Sequence, residues 1–326
     1  MIKVSDYIAN FLARAGITHV FMISGGGAMH LNESVGRCKG LTYICNQHEQ
    51  ACAMAAEGYA RASGRLSAVV VTTGPGGTNT ITGVIGQWLD SIPAIYISGQ
   101  VKYETCLESH KKLGLRQLGD QEINIIDIVK PVTKFAAMII DPLDTRLLLE
   151  KALYLACNGR PGPVWLDVPM NVQGSFIDES QLRQYVPEPT STLSKASLSQ
   201  KAAEAIGLLK KSQRPVLIAG HGIRLAGAIS EFAGLLEKLG VPVVSTFNGI
   251  DIIPSDHPLF IGRIGSLGDR AGNFAIQNSD FVLSIGSRNN IRQVSYNWGS
   301  FARHAVKVVV DIDSAELRMP TLKPDL

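Results

Sequence analysis

The sequence predicts an α/β protein made of two doubly wound, mainly parallel-sheet domains that are joined by a linker. Short apolar runs rich in β-branched residues alternate with longer helix-like runs, which is typical of parallel sheets covered by helices on both faces. This alternation stops in a stretch rich in Pro, Ser and Thr and then resumes. The chain has 326 residues, a length that suits about two domains.

In the predicted first domain, residues 1–175, an opening helix is followed by strands and helices in alternation. Ser5 and Asp6 are the expected cap of the opening helix, and Gly16 is its expected end. Further helices are predicted at 48–61, 80–88 and 141–157. The predicted strands are 17–23, 41–45, 66–73, 94–99, 133–137 and 164–168.

The linker is predicted at residues 176–197, because 186–192 is rich in Pro and hydroxyl side chains. The second domain is predicted at residues 198–326 and has the same alternating pattern. Its helices are expected at 195–210, which begins within the linker, and at 226–239. Its strands are expected at 215–219, 241–245, 281–285 and 306–311.

Composition and charge exclude several classes of protein. The chain is 45% hydrophobic and 18% charged, which is ordinary for a globular protein, and its net charge of +3 is too small to favour nucleic acid or a membrane surface. No apolar run approaches the roughly 20 residues of a membrane span, and the N-terminus has no signal-peptide core. No metal-ligand spacing of Cys and His is found. We therefore predict a cytoplasmic protein that binds neither nucleic acid nor membranes and no metal through this chain.

The most informative stretch is residues 48–61, a predicted helix that Glu49 opens and that small residues continue. An isolated glutamate there is most simply an acid matched to the helix dipole. Two glycine-rich turns change this interpretation: Gly-Gly-Gly-Ala at 25–28 and Gly-Pro-Gly-Gly-Thr-Asn at 74–79 each follow an apolar strand. Such turns let a ligand approach the backbone closely. Neither is a Walker loop, since no Lys follows, and neither is a convincing dinucleotide fingerprint.

Together these segments resemble the pyrimidine-binding domain of thiamine diphosphate enzymes, and they are most similar to the acetolactate synthase group. The matching pieces in the first half are 25–28, Glu49 with 58–61, 74–79, 98–101, 121–122, 130–134 and 160–169. The second half resembles the central domain of the same family more loosely, at 214–215, 220–222, 242–243, 257–258 and 311–313.

The resemblance implies thiamine diphosphate as cofactor and a role for each matching residue. It implies that Glu49 is the catalytic carboxylate, bonded to N1′ of the aminopyrimidine ring, and that Gln121 approaches the reacting carbon. The residues that the resemblance places around the cofactor are Gly26, Gly27 and Ala28 beside the thiazolium, and Gly74, Gly76 and Asn79 beneath the pyrimidine. From residue type alone, a surface amide in a loop stays an alternative for Gln121.

Two departures from the family pattern carry expectations of their own. Acetolactate synthases usually have Phe before the Gln-Glu pair, whereas this chain has Asp120 there, which favours a larger and polar acceptor such as a sugar-derived ketone or aldehyde. The central domain of that group binds FAD, and Gly222 and Arg288 match it. However, Asn290-Ile291 stands where that group has an acidic pair. FAD binding and a purely structural central domain therefore both stay open.

Enzymes of this group carry a third domain whose Gly-Asp-Gly motif binds Mg²⁺ and the diphosphate, and no match to that motif is found in this chain. The expected protein is thus the N-terminal two-thirds of a homo-oligomeric enzyme, a transferase or lyase, and the chain alone is expected to be inactive. Such an enzyme decarboxylates a 2-keto acid and transfers the acyl carbanion equivalent to a carbonyl acceptor. Two alternatives remain: a non-catalytic subunit that needs a partner chain, and a nucleotide-binding α/β protein without thiamine chemistry.

Overall fold

The computed structural model describes residues 1–188 and 193–326, so residues 189–192 of the predicted linker lie outside the described part. The chain divides into two compact units, Met1–Pro189 and Thr190–Leu326. Each unit has one main sheet with helices packed against it, and the strand pairs within both main sheets are parallel. The predicted fold class is therefore confirmed.

The first unit contains a six-stranded sheet in the order β3-β2-β4-β5-β7-β6 and a small antiparallel pair, β1 with β8. Its strands are β1 Ile2–Lys3, β2 His19–Met22, β3 Thr42–Cys45, β4 Ser67–Val71, β5 Ala94–Gln100, β6 Phe135–Met138, β7 Pro163–Pro169 and β8 Phe176–Ile177. Its helices are α1 Val4–Arg14, α2 Met29–Arg37, α3 Glu49–Ser63, α4 Pro75–Thr78, α5 Ile81–Asp90, α6 Ile125–Val129, α7 Thr145–Cys157 and α8 Met170–Gly174.

The central strands of this sheet form its core. Every residue of β4, β5 and β7 is buried, because helices cover both faces of a parallel sheet. The opening helix differs from the prediction at its start. It begins at Val4 after Lys3, which makes no side-chain cap, while Ser34 Oγ on α2 donates to Asp6 Oδ1 at 2.6 Å and forms a hydroxyl–hydroxyl hydrogen bond with Ser5 Oγ at 2.9 Å. The predicted cap was wrong because these side chains join two helices instead.

The first unit continues beyond the predicted boundary at residue 175. Strand β8 pairs with β1, so that Ile177 faces Ile2. Leu182 is buried in the core of the same unit, and Arg183 forms ion pairs with two aspartates of the α7 entrance. Ile177 and Leu182 thus join the core of the first unit, although the sequence there has no regular pattern.

The second unit contains a five-stranded parallel sheet in the order β11-β10-β9-β12-β13. Its strands are β9 Pro215–Ala219, β10 Val243–Ser245, β11 Phe260–Arg263, β12 Phe281–Ile285 and β13 Val306–Val310. Its helices are α9 Lys195–Leu209, α10 Gly222–Leu225, α11 Ile229–Leu239, α12 Arg270–Asn278 and α13 Ile291–Val294. Helix α12 and strand β11 were not predicted. Among the helices of residues 1–188 and 193–326, not one combines the length and apolar character that crossing a membrane requires.

Each sheet contains a reversal in the direction of winding between two adjacent strands near its centre. In the first unit the chain passes from β2 to β3 on one side, whereas β4 lies on the other side of β2. In the second unit the chain passes from β9 to β10 on one side, whereas β12 lies on the other side of β9. Ligands of open α/β sheets bind beyond the carboxyl ends of the strands at such reversals. The fold therefore marks two edges as candidate sites.

Candidate active site

The motifs of the first unit meet at one edge of its sheet. The turn at 25–28 follows β2, Glu49 follows β3 at the first position of α3, and the turn at 74–79 follows β4. Because these strands are parallel, their carboxyl ends lie at the same edge. This edge includes the reversal between β2 and β4, so the predicted segments come together where a ligand site is expected.

The first glycine turn is packed against Thr72 and Thr73, the two residues that lead into the second turn. The backbone N–H of Gly27 donates to Thr72 Oγ1 at 3.0 Å, which ties the first turn to the end of β4. A Cβ at Gly27 would overlap with the side chain of Thr73, so only glycine allows this packing. Gly26 is exposed, and a Cβ there would meet open space. The backbone of Gly26 is therefore accessible to a ligand.

The carboxylate of Glu49 lies against the second turn. Its Oε2 accepts a hydrogen bond from Asn79 Nδ2 at 2.9 Å, and its Oε1 lies 3.6 Å from the position that a Cβ on Gly76 would occupy. Among the described residues no group donates a hydrogen bond to Oε1. His48 is the N-cap of α3, because its Nδ1 accepts from the N–H of Gln50. One carboxylate oxygen of the half-buried Glu49 is thus available to a ligand, and the adjacent Gly76 has no side chain that would block the ligand.

Gln121 and Asp120 lie at the rim of the same edge. Gly74 has a φ of +60°, and a Cβ on it would overlap with the carbonyl oxygen of Gln121. Gln121 itself has a φ of +56°, which is uncommon for a residue with a side chain. Both Gln121 and Asp120 are exposed. The backbone at Gln121 is thus seated on the second glycine turn, and Asp120 precedes it.

Sequence reasoning missed the residues that hold the first turn from behind. The buried Gln173 on α8 donates through Nε2 to the carbonyl of Gly27 at 2.7 Å. Gly99 on β5 lies so close to the same carbonyl that a Cβ there would overlap with it. The glycine at 99 was visible in the sequence within a matching segment, whereas Gln173 lies 146 residues from its partner and had no local signal.

A buried carboxyl group, Asp167, lies beneath this edge. Its Oδ1 accepts from Ser98 Oγ at 2.6 Å and its Oδ2 accepts from Gln100 Nε2 at 3.0 Å. The indole N–H of Trp165 donates to the same serine oxygen at 2.8 Å. Burial raises the pKa of Asp167 to about 7, although the hydrogen bonds from Ser98 and Gln100 act in the opposite direction.

The raised pKa of Asp167 predicts a pH-dependent stability. The pKa of Asp167 is about 4 in the unfolded chain and about 7 in the folded protein, so at a pH between these values the side chain takes up a proton when the protein folds. The stability that this proton uptake contributes is therefore present at low pH and is lost as the pH rises through this window. The wild type should therefore gain about 2–3 kcal/mol from this group at pH 5 relative to pH 8. We expect Asp167→Asn to remove that difference, as measured by urea unfolding with tryptophan fluorescence.

The control is Asp178→Asn, which changes an exposed aspartate of the same unit. The pKa of Asp178 is lowered, chiefly by the hydrogen bond from the backbone N–H of Ser180. The contribution of Asp178 to stability therefore changes only as the pH falls below the ordinary pKa of an aspartate. Its replacement should leave the difference between pH 5 and pH 8 unchanged. An Asp167→Asn protein with the pH dependence of the wild type would show that Asp167 does not titrate in this window.

Gly222 and Arg288, the residues matched to a FAD site, lie at the reversal of the second sheet. Gly222 begins α10 after β9, and a Cβ on it would lie 2.8 Å from the Cα of Gly286. Arg288 follows β12, and its Nε lies 3.1 Å from Oε1 of Glu316. Close packing against Gly286 thus accounts for the glycine at 222, and the ion pair with Glu316 accounts for the charge at Arg288, both within the second unit.

Comparison with known proteins covers both units. Residues 2–126 match the family model of the N-terminal TPP binding domain of thiamine pyrophosphate enzymes, and residues 202–321 match that of their central domain. The acetolactate synthase large subunit of Lactococcus lactis subsp. lactis is 35% identical over 318 residues, which are 96% of this chain and 52% of that protein. The acetolactate synthase of Arthrospira platensis is 33% identical over 317 residues, 94% of this chain and 52% of that protein.

A plant acetolactate synthase is similar to this chain over nearly the same residues. The chloroplastic acetolactate synthase of Arabidopsis thaliana is 33% identical over 316 residues, 97% of this chain and 45% of that protein. The chain thus spans about half the length of the curated relatives it matches, less than the two-thirds that we predicted. Since one family accounts for the N-terminal and the central matches in the order that the sequence predicts, the chain belongs to the thiamine pyrophosphate enzymes.

Proposed function

We propose that this chain forms the pyrimidine-binding part of a thiamine diphosphate-dependent enzyme that decarboxylates a 2-keto acid and transfers the acyl carbanion equivalent to a carbonyl acceptor. The observation that carries the proposal is the carboxylate of Glu49, which Asn79 holds beside Gly76 at the reversal of the sheet. The relatives named acetolactate synthase support the reaction class. The test is whether a Glu49→Gln protein loses decarboxylation.

The residues of this edge fit the cofactor. When bound, thiamine diphosphate would supply a nucleophilic carbon, which protein side chains do not offer. Oε1 of Glu49 would exchange a proton with the ring nitrogen N1′ of the cofactor, while Asn79 holds the carboxylate through its hydrogen bond to Oε2. The backbone at Gly26, Gly27 and Ala28 lines the side toward the thiazolium, and the turn with Gly74 and Gly76 supports the pyrimidine. Gln121 faces the substrate from the rim.

We place Mg²⁺ and the diphosphate in the part of the enzyme that this chain does not span, as the family resemblance implies. We also propose that the protein is a homo-oligomer. Helices α3 and α5 expose large apolar side chains, with Met54 50% and Leu89 52% exposed, and exposed apolar side chains of this size are common at protein interfaces. FAD stays a prediction, and since the contacts of Gly222 and Arg288 are met within their unit, we derive no role for it.

Asp120 is proposed to select the acceptor. An exposed carboxylate directly before Gln121 offers a hydrogen-bond acceptor to a hydroxylated ketone or aldehyde, which a phenyl ring does not. We expect Asp120→Phe to shift the preference between a hydroxyaldehyde and a 2-keto acid acceptor by about 10-fold or more toward the 2-keto acid. Product ratios from competition between the two acceptors measure this shift. Asp120→Asn separates charge from size, and an unchanged ratio in Asp120→Phe would refute the role.

A further inference from the structure

The carboxylate of Glu122 is surrounded by backbone N–H groups. The N–H of Leu107 donates to its Oε1, and the N–H groups of Leu118 and Gly119 donate to its Oε2 at 3.3 and 3.2 Å. These donors lie at the two ends of segment 107–119. A single charged side chain therefore ties both ends of this segment together, and hydrogen bonds to a charged acceptor are stronger than neutral ones.

Segment 107–119 has little apolar burial of its own. Residues 110–118 are all exposed, including Leu113 and Leu115. Its further side-chain hydrogen bonds are local, such as the one between the ring of His110 and the carbonyl of Glu104. A stretch with so few buried side chains is held mainly by its polar anchors, and it opens easily when an anchor is lost. The conformation of the segment therefore depends strongly on Glu122.

The residues after Glu122 are anchored from the sheet. Gln100 donates through Nε2 to the carbonyl of Ile123 at 3.2 Å and to Asp167 at 3.0 Å. The carbonyl of Gln121 abuts Gly74 on the other side. Gln121 thus lies in the chain between two anchored residues: Gly119, whose N–H donates to Glu122, and Ile123, whose carbonyl accepts from Gln100.

We propose that Glu122 is a positioning residue, whose carboxylate closes segment 107–119 and thereby holds Gln121 over the second glycine turn. The ordering of the segment stands on these contacts alone. The consequence for turnover rests on the proposed function, in which Gln121 faces the substrate. Two separate measurements therefore test the two parts.

The first measurement is amide hydrogen exchange in Glu122→Gln. The amide keeps the shape of the side chain but has one acceptor oxygen, and its NH₂ group faces a donor, so at least one of the three backbone N–H groups loses its partner. We expect the affected amides to exchange about 10-fold faster or more. Glu108→Gln is the matched control, because it changes the half-buried partner of Lys111 in the same segment. Unchanged exchange in Glu122→Gln would overturn the proposal.

The second measurement is a double-mutant cycle in the full-length protein with thiamine diphosphate, Mg²⁺ and a 2-keto acid. If Glu122 acts through Gln121, then Gln121→Ala should lower kcat/KM far less in the Glu122→Gln background than in the wild type. The melting temperatures of both backgrounds should agree. Equal losses in the two backgrounds would overturn the positioning role. If the wild type shows no thiamine diphosphate-dependent turnover, the proposed function fails, and the exchange data alone decide the role of Glu122 in the segment.

Discussion

Replacing Glu49 by Gln in the full-length protein is expected to lower thiamine diphosphate-dependent decarboxylation by about 10²–10⁴-fold. The glutamine has the same shape, and its amide oxygen can still accept the hydrogen bond from Asn79. It has no carboxylate to take up and return a proton, which is the step assigned to Glu49. The fold should be kept, because the loss of a negative charge at the start of α3 costs only about 0.3–1 kcal/mol.

The measurement is the steady-state release of carbon dioxide from a panel of 2-keto acids, with circular dichroism to show that the fold is unchanged. Glu33→Gln is the matched control, since it makes the same change at an exposed glutamate of the same unit that pairs with Lys3 and Arg37. The control should retain the activity of the wild type. A Glu49→Gln protein that also retains it would exclude Glu49 as the catalytic carboxylate.

The second large effect is expected at Gly99. The Cβ of an alanine there would overlap with the carbonyl of Gly27, so the turn at 25–28 must move away from β5 or the strand must shift. Overpacking of this kind costs about 1–3 kcal/mol and sometimes more. Because the displaced turn lines the proposed cofactor site, Gly99→Ala should also weaken the binding of thiamine diphosphate to the full-length protein.

At a second glycine, Gly58, the same change to alanine is expected to affect stability in the opposite direction. Gly58 is an exposed residue inside α3, and a Cβ on it would meet no atom within 4 Å. Alanine is favoured over glycine in a helix interior by about 0.5–1 kcal/mol, so Gly58→Ala should stabilise the protein. Urea unfolding of both variants measures the two effects. A Gly99→Ala protein as stable as the wild type would show that the turn at 25–28 can move away from β5 without lowering the free energy of unfolding.

The elements with a strong local pattern could be predicted from the sequence. Strands β9 and β12 lie where the apolar runs placed them, at Pro215–Ala219 and Phe281–Ile285. Most of their residues are apolar and buried, as in a parallel sheet covered by helices on both faces, and this leaves a clear apolar signal in the sequence. Strand β11 and helix α12 were missed, since neither has such a run, and their positions depend on packing within the second unit. The Ser5-Asp6 cap failed for a similar reason, because a tertiary contact with Ser34 outweighed the local preference.

In the candidate site, too, some residues could be predicted from local motifs, whereas others could not. Glu49, Gly76 and Asn79 could be singled out because each lies in a short motif at a strand end, and parallel strands bring such ends to one edge of the sheet. Gln173 was not foreseen as a support for the first turn, nor was the set of N–H groups around Glu122. Their roles arise from contacts between segments that are distant or irregular, and residue type alone gives no indication of such contacts.

The most direct test of the account is the rate at which the C2 proton of bound thiamine diphosphate exchanges with deuterium in the full-length protein, measured by quenched-flow NMR. This rate reports the action of Glu49 without knowledge of the donor or acceptor. We expect exchange in the wild type and in Glu33→Gln to be much faster than in the free cofactor, and exchange in Glu49→Gln to be slower than in the wild type by about 10²–10⁴-fold. Equal rates in the wild type and Glu49→Gln would contradict the role of Glu49, and a wild type that binds no thiamine diphosphate would favour a nucleotide-binding protein without thiamine chemistry.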